Sequence, residues 1–139
     1  MLQGLKETSW QGRFEILSHQ PLIIIDGAHN KEGINAFYES AKKYNHIKII
    51  FSALKDKDTH AMLEKLLTLT DDVTVCEFDF YRAQSAVKLA ESFPVKIEKD
   101  WKKAIDDAFF HQGVVFITGS LYFISQVRPY ILNKFSQKD

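Results

Sequence analysis

The sequence predicts an α/β domain in which helices cover both faces of a mostly parallel six-stranded sheet, with an antiparallel first strand at one edge. Short unbroken apolar runs at residues 22–25 and 114–117 are typical of strands buried on both faces of a parallel sheet. Between such runs lie segments of about ten residues whose apolar side chains recur at three-and-four spacing, as in amphipathic helices. Strands that alternate with helices form parallel sheets with right-handed crossovers. We therefore expect three layers, with the sheet in the middle.

The predicted elements follow this alternation along the chain. Six strands are predicted, at residues 13–18, 22–26, 47–53, 73–80, 95–97 and 114–118. Five helices are predicted, at residues 31–44, 60–69, 83–92, 101–110 and 122–132. The three residues between the first two strands are too few for a crossover, so the first strand should run antiparallel at an edge. The architecture is Rossmann-like: one domain over residues 13–133, an entry linker over residues 1–12 and a polar tail over residues 134–139.

The composition argues against several classes of protein. In 139 residues, 18 basic side chains balance 18 acidic ones, which disfavours nucleic acid or an anionic membrane as the main partner. No apolar run approaches the roughly 20 residues that a membrane-spanning helix needs. The single cysteine cannot form an internal disulfide, and a reducing compartment is the simplest interpretation. We therefore expect a cytoplasmic domain with neither a membrane nor a nucleic-acid partner.

Polar side chains follow four of the predicted parallel strands where each strand ends. They are Asp26, His29 and Asn30 after the second strand, Asp56 and Lys57 after the third, Arg82 after the fourth and Ser120 after the sixth. The carboxyl ends of parallel strands meet at one edge of the sheet, where open α/β folds bind their ligands. Helix N-termini at that edge favour phosphate or carboxylate. An anion flanked by Lys57, Arg82 and helix amides is therefore one prediction.

Each of these side chains also has a purely structural interpretation. Asp26 could cap the turn that follows it, and Asn30 lies where a helix N-cap is expected. His29 alone would more often be an ordinary loop histidine, and Ser120 could serve only to start a helix. Arg13, on an edge strand, would normally be a solvated charge. A functional interpretation therefore depends on their combination.

The fingerprints of a self-sufficient nucleotide or metal site are missing. Gly27 and Gly33 are six positions apart, one too many for a P-loop, and the sequence contains neither GKS nor GKT. No pair of glycines forms a G-x-G, and no G-x-S-x-G elbow occurs. The five histidines are scattered and no HExxH occurs, so we expect no metal site made by this chain alone. If the domain contacts a nucleotide, the phosphate loop must lie elsewhere.

Four motifs occur together, namely GRFE at residues 12–15, DGAHN at 26–30, DKD at 56–58 and TGSLY at 118–122. In this combination the chain resembles the C-terminal domain of the folylpolyglutamate synthase/dihydrofolate synthase family, in the Mur ligase superfamily. The resemblance implies a cleft between this domain and an N-terminal P-loop domain that binds ATP, folate and L-glutamate. It also implies that ATP phosphorylates the folate carboxylate, and that the glutamate amine attacks the acyl phosphate to form a γ-linked amide.

The resemblance implies roles for individual residues. Arg13 and Asp26 would contact ATP, and His29 and Ser120 would place the glutamate or its attacking amine. The chemistry is compatible, since a guanidinium pairs with phosphate and a carboxylate can accept hydrogen bonds from ribose hydroxyls. Mg²⁺ is implied as well, with ligands mainly from the missing P-loop domain. The isolated domain should therefore be inactive.

Two further features of the motif set bear on the resemblance. Asp56 and Lys57 match the DKD loop, for which a place in the cleft is plausible but no specific role is implied. Lys31 stands where the family usually has proline, a residue that pre-sets the first turn of a helix. The absence of proline should make the loop less rigid without removing a functional group.

The residues leave two other functions open and disfavour a third. A second Mur-type ligase could join a different amino acid to a different carboxylate. A free-standing regulatory domain could hold a nucleotide or small anion at the same edge without turnover. A receiver domain with Asp26 as phosphoacceptor is disfavoured, because it needs a lysine after the last strand, where Gly119 and Ser120 stand.

Overall fold

The computed structural model describes residues 13–136, so the predicted entry linker and residues 137–139 lie outside the described part. The strands are β1 (Glu15–His19), β2 (Leu22–Asp26), β3 (Ile47–Phe51), β4 (Val73–Glu77), β5 (Lys96–Asp100) and β6 (Val114–Thr118). The helices are α1 (Lys31–Ala41), α2 (Thr59–Leu66), α3 (Ala86–Ala90), α4 (Trp101–Ala108) and α5 (Leu121–Ser136). The described elements thus follow the predicted order.

The six strands form one sheet in the order β1-β2-β6-β3-β4-β5. β1 pairs antiparallel with β2 at the edge, and the remaining neighbours pair in parallel. The three-layer prediction and the antiparallel edge strand are therefore confirmed. The turn between β1 and β2 contains a cis peptide bond, Gln20–Pro21.

Hydrophobic side chains alternate between the two faces of the sheet and make two cores. Ile24 and Phe116 face the core that α1, α2 and α3 cover, whereas Ile25 and Ile117 face the core under α4 and α5. All four are fully buried. This explains the unbroken apolar runs: a strand covered on both sides has no face left for polar residues.

The placement of β6 determines where the crossover direction switches at the carboxyl end of the sheet. β6 lies between β2 and β3, and the helix after β6 packs on the face opposite to the helices after its two neighbours. Asp26 and Phe51 flank Thr118 in the parallel register at the carboxyl end. Such a switch in crossover direction opens a crevice beyond the strand ends.

Several predicted boundaries were wrong by a few residues. β1 begins at Glu15 because Phe14 adopts φ 47°, which is outside the extended region. β4 ends at Glu77 and α3 spans only five residues. In the segment between them, Ala83 forms an isolated antiparallel bridge with Leu54 of the loop after β3, so this segment continues neither element. α5 continues to Ser136, so the tail predicted from residue 134 is helical at its start, since the side chain of Lys134 pairs with Asp106 of α4. No helix in the described part is long and apolar enough to cross a membrane.

Candidate functional site

A cleft of ≈ 530 Å³ opens at the carboxyl end of the sheet, beside β2 and the start of α1. Its lining includes Arg13, Asp26 and His29, three of the side chains that the sequence predicts to act together. The opposite wall comes from α1, which contributes Phe37 and Ser40. The fold therefore gathers predicted ligand-binding residues from the entry to β1 and from the loop after β2.

Asp26 is the buried acidic group of this cleft, with 9% of its surface exposed. Its Oδ1 accepts a hydrogen bond from the N–H of Ala28 (2.8 Å), and its Oδ2 accepts one from the N–H of Phe14 (3.1 Å). Burial raises the pKa of the carboxyl above its ordinary value, although these two bonds and the charge of Arg13 act to lower it. Each oxygen keeps a second lone pair, so the carboxylate can still accept from a ligand hydroxyl.

Arg13 and Phe14 form a bend that overhangs the cleft just before β1. The Phe14 backbone is left-handed, and its ring packs between Phe37 (6.1 Å between centroids), Tyr44 (6.2 Å) and Phe116 (5.6 Å). This aromatic anchor holds the Phe14 N–H towards Asp26, while the Arg13 side chain stays exposed at the cleft.

His29 and Asn30 follow Asp26 but make different contacts. His29 Nδ1 lies 3.1 Å from the carbonyl oxygen of Gly27. Because a carbonyl only accepts, the proton belongs on Nδ1, which leaves Nε2 of a neutral ring as an acceptor. Asn30 is the N-cap of α1, and its Oδ1 accepts from the N–H of Gly33 (2.8 Å). The structural interpretation of Asn30 is therefore confirmed.

Ser120 lies at the start of α5, at the carboxyl end of β6, and only 1% of its surface is exposed. Its Oγ accepts from the N–H of Tyr122 (3.1 Å), so the side chain caps the helix. The preceding Gly119 has φ +126°, a conformation that favours glycine. Ser120 is outside the cleft lining, but the adjacent Leu121 belongs to it.

The loops after β3 and β4 are tied to each other rather than to the cleft. Arg82 Nη2 donates to Asp56 Oδ2 at 2.8 Å, and the N–H of Lys55 donates to the Arg82 carbonyl at 2.9 Å. Desolvation raises the pKa of Asp56, but the bond and charge of Arg82, with Lys57, bring it below its ordinary value. Among the described residues, the cleft lining includes neither Asp56, Lys57 nor Arg82. The structure does not bring this trio to Asp26.

Two features of the site escape prediction from the sequence. The N–H of Phe14 reaches Asp26 across twelve positions, and only the GRFE motif hints at a role for this segment. Thr118 ends β6 beside Asp26 and is fully buried, yet its Oγ1 has no hydrogen-bond partner within the described part of the chain. Only the TGSLY motif, which begins at Thr118, hints at a role for this residue.

The residues fit a nucleotide contact better than a metal centre. A guanidinium, a buried carboxylate and an imidazole share one cleft, which suits phosphate and hydroxyl groups. Over residues 13–136, no group of three or more His, Cys, Asp or Glu side chains could hold a metal ion. The described part of the chain therefore offers no complete set of metal ligands.

Comparison with known protein families identifies the family of this domain. The family model "Mur ligase, glutamate ligase domain" matches residues 12–121, which include the cleft and the end of β6. The chain therefore belongs to the Mur ligase family, as its glutamate ligase domain.

Individual relatives carry more specific names than the family model does. The chain is 37% identical over 135 residues to the dihydrofolate synthase/folylpolyglutamate synthase of Bacillus subtilis, with 90% of the chain and 31% of that protein covered. The crystal structure of the bifunctional folylpolyglutamate synthase/dihydrofolate synthase from Yersinia pestis matches with a TM-score of 0.84 and 28% identity, over 92% of the chain and 32% of that structure.

A further structure of a bifunctional folylpolyglutamate synthase/dihydrofolate synthase, with Mn, AMPPNP and L-glutamate bound, matches with a TM-score of 0.83 and 27% identity, over 92% of the chain and 33% of that structure. The chain thus spans about a third of the length of each of these three relatives.

Proposed function

We propose that this chain is the C-terminal domain of an ATP-dependent folate–glutamate ligase, a folylpolyglutamate synthase with or without dihydrofolate synthase activity. One observation carries the proposal: Arg13, Asp26 and His29 line one cleft at the switch point of the sheet. Relatives with this domain are named for that reaction, and one was solved with AMPPNP and L-glutamate. The domain would supply one wall of an interdomain cleft.

The nucleotide would contact Arg13 and Asp26. Arg13 presents an exposed guanidinium that can form charge-assisted bonds to phosphate oxygens. Asp26 is held rigidly by two backbone N–H groups and keeps acceptor capacity for ribose hydroxyls. A carboxylate fixed in this way accepts such hydroxyls without the entropy cost of ordering itself.

The amino-acid substrate would contact His29 and Ser120. With Nδ1 turned to Gly27, Nε2 of His29 can accept a hydrogen from an attacking amine. The hydroxyl of Ser120 uses an oxygen lone pair for the cap, so its hydrogen remains available to a carboxylate. Such contacts would orient the amine and a carboxylate of glutamate for attack on the acyl phosphate.

The missing two thirds of the ligase would supply the rest. We expect an N-terminal P-loop domain to hold the triphosphate and Mg²⁺, because the described residues contain no metal-ligand cluster. Folate and L-glutamate would bind between the two domains, so the isolated chain should not catalyse ligation. A cytoplasmic location accords with a single buried, unpaired Cys76.

A chimera tests the proposal directly. The matching third of the Bacillus subtilis relative is replaced by this chain, and ATP-dependent addition of L-glutamate to a folate is measured. We expect activity, and a loss of about 10²-fold or more in kcat/KM on Arg13→Met or Asp26→Asn. The matched substitutions Lys88→Met and Asp107→Asn, at exposed helix positions, should leave activity unchanged.

The outcomes separate the alternatives. A folded chimera that is inactive with glutamate but active with another amino acid would indicate a different Mur-type ligase. Tight binding of ATP by the isolated chain would instead favour the free-standing regulatory domain, since half of a site should bind weakly or not at all. Equal activity of the Arg13→Met and Lys88→Met chimeras would show that Arg13 does not contribute to the site.

A further inference from the structure

The residue after Phe14 is held by an ion pair from the opposite side of the sheet. Glu15, the first residue of β1, accepts three hydrogen bonds from Arg128 of α5: Nε to Oε1 (3.2 Å), Nε to Oε2 (3.1 Å) and Nη2 to Oε2 (3.0 Å). Both side chains are mostly covered, with 31% of Arg128 and 23% of Glu15 exposed. A two-pronged guanidinium–carboxylate pair fixes orientation as well as distance.

The bend at Arg13 and Phe14 is therefore anchored from both layers. The Phe14 ring lies in the core under α1, against Phe37 and Phe116, whereas Glu15 is tied to α5 on the other face. Opposed anchors at successive residues leave the left-handed backbone of Phe14 little freedom to rotate. The same rotation would withdraw the Phe14 N–H from Asp26.

We propose that Arg128 is a positioning residue for the ligand cleft: through Glu15 it holds the Arg13–Phe14 bend against Asp26. Arg128 is not part of the cleft lining and acts from the far side of the sheet, on α5. This inference deepens the proposed function, on which its consequence for nucleotide binding rests. The consequence is that removal of Arg128 weakens nucleotide binding while the fold persists.

The first readouts need no catalysis and use the chain itself. Arg128→Met keeps an unbranched side chain but removes the guanidinium. We expect amide hydrogen exchange at Phe14 to become about tenfold faster, and the pKa of Asp26 to rise further, because the Phe14 bond and the Arg13 charge both lower it. Lys134→Met is the matched control, since it breaks the Lys134–Asp106 ion pair (3.0 Å) on the same helix.

A charge reversal distinguishes positioning from general stability. Glu15→Arg combined with Arg128→Glu restores an ion pair, so Phe14 exchange should return towards the wild-type rate, whereas each single reversal should not. If Arg128→Met exchanges at Phe14 no faster than Lys134→Met does, the proposal is overturned. Glu15→Gln provides a second, milder variant should Arg128→Met fail to fold.

The chimera then tests the link to function. Arg128→Met should raise KM for ATP about tenfold and change kcat little, because the reacting groups remain in place. A chimera that is inactive with the wild-type domain would count against the proposed function, while a Phe14 response in the isolated chain would still support the positioning role. If the chimera is active and its KM for ATP is unchanged by Arg128→Met, the positioning role is overturned and the proposed function is not.

Discussion

Gly119 approaches Ser52 so closely that a Cβ at position 119 would lie 2.0 Å from the Ser52 carbonyl oxygen. The two residues directly follow the neighbouring strands β6 and β3, and the N–H of Ser52 donates to the Thr118 carbonyl at 3.3 Å. The loop that leads from β6 into α5 can therefore turn at this level only where residue 119 has no side chain.

Substitution of Gly119 should destabilise the domain strongly. Gly119→Ala adds a clash with the backbone at φ +126°, and we expect the free energy of unfolding to fall by about 2–4 kcal/mol in chemical denaturation. Gly33→Ala is the comparison, because its Cβ would meet neighbours at 3.2–3.3 Å within a helix that favours alanine. Equal losses at both positions would contradict the explanation.

The cap formed by Ser120 can be separated from its proposed contact with glutamate. Ser120→Ala removes the acceptor for the Tyr122 N–H and should cost about 1 kcal/mol of stability, whereas Ser120→Gly should cost only a few tenths. Both variants lack the hydroxyl, so the chimera should lose glutamate affinity equally in both. Activity that follows stability instead would leave Ser120 as a cap alone.

Asp26 should make stability depend on pH in an unusual direction. Its pKa is raised in the folded state, so the neutral form folds without the cost of burying charge, and that advantage is lost as pH rises through the folded pKa. Relative to Asp26→Asn, the wild type should therefore gain stability as pH falls from neutrality towards 4. Urea titrations of both proteins across this range measure the difference.

Asp72 should behave in the opposite way. Burial raises its pKa, but Lys96 (3.1 Å) and Lys48 (3.2 Å) together bring it below the ordinary value of 3.8. Its stabilisation is present above 3.8 and is lost as pH falls through the lower, folded-state pKa. Asp72→Asn should thus lower stability by about 0.5–1 kcal/mol at pH 7 and by less in strong acid. A constant difference between the two proteins would contradict the assigned ion pairs.

The Asp56–Arg82 pair should contribute little to stability. Both side chains are substantially exposed, at 56% and 39%, so Arg82→Met should change the free energy of unfolding by no more than about 0.5 kcal/mol. Thermal or urea unfolding measures this change. A loss above 1 kcal/mol would show that the loops after β3 and β4 depend on this bond.

Short-range features of the site follow from local sequence. Asp26, Asn30 and Ser120 each accept from a backbone N–H two or three residues ahead, which is where side-chain caps act. The buried runs of β2 and β6 likewise predict parallel strands without any knowledge of their neighbours. A capping side chain has its partner a few residues away along the chain. A buried strand needs only apolar cover on both faces, whichever elements provide it.

Long-range features could not be predicted in this way. The insertion of β6 between β2 and β3 creates the switch point, although β6 is the last strand in the sequence. The Asp56–Arg82 pair joins two loops 26 positions apart, and neither residue belongs to the lining of the cleft at Asp26.

The sequence alone thus determined the alternation of strands and helices, the antiparallel edge and the residues that end each strand, because periodicity and capping act over a few positions. Only the tertiary structure decided that Phe14 would meet Asp26 and that Arg128 would reach Glu15 across 113 positions. Those contacts depend on which strands become neighbours and on which face each helix packs. The strand order and the helix placement are determined by the apolar surface buried over the whole chain, which no local sequence pattern predicts.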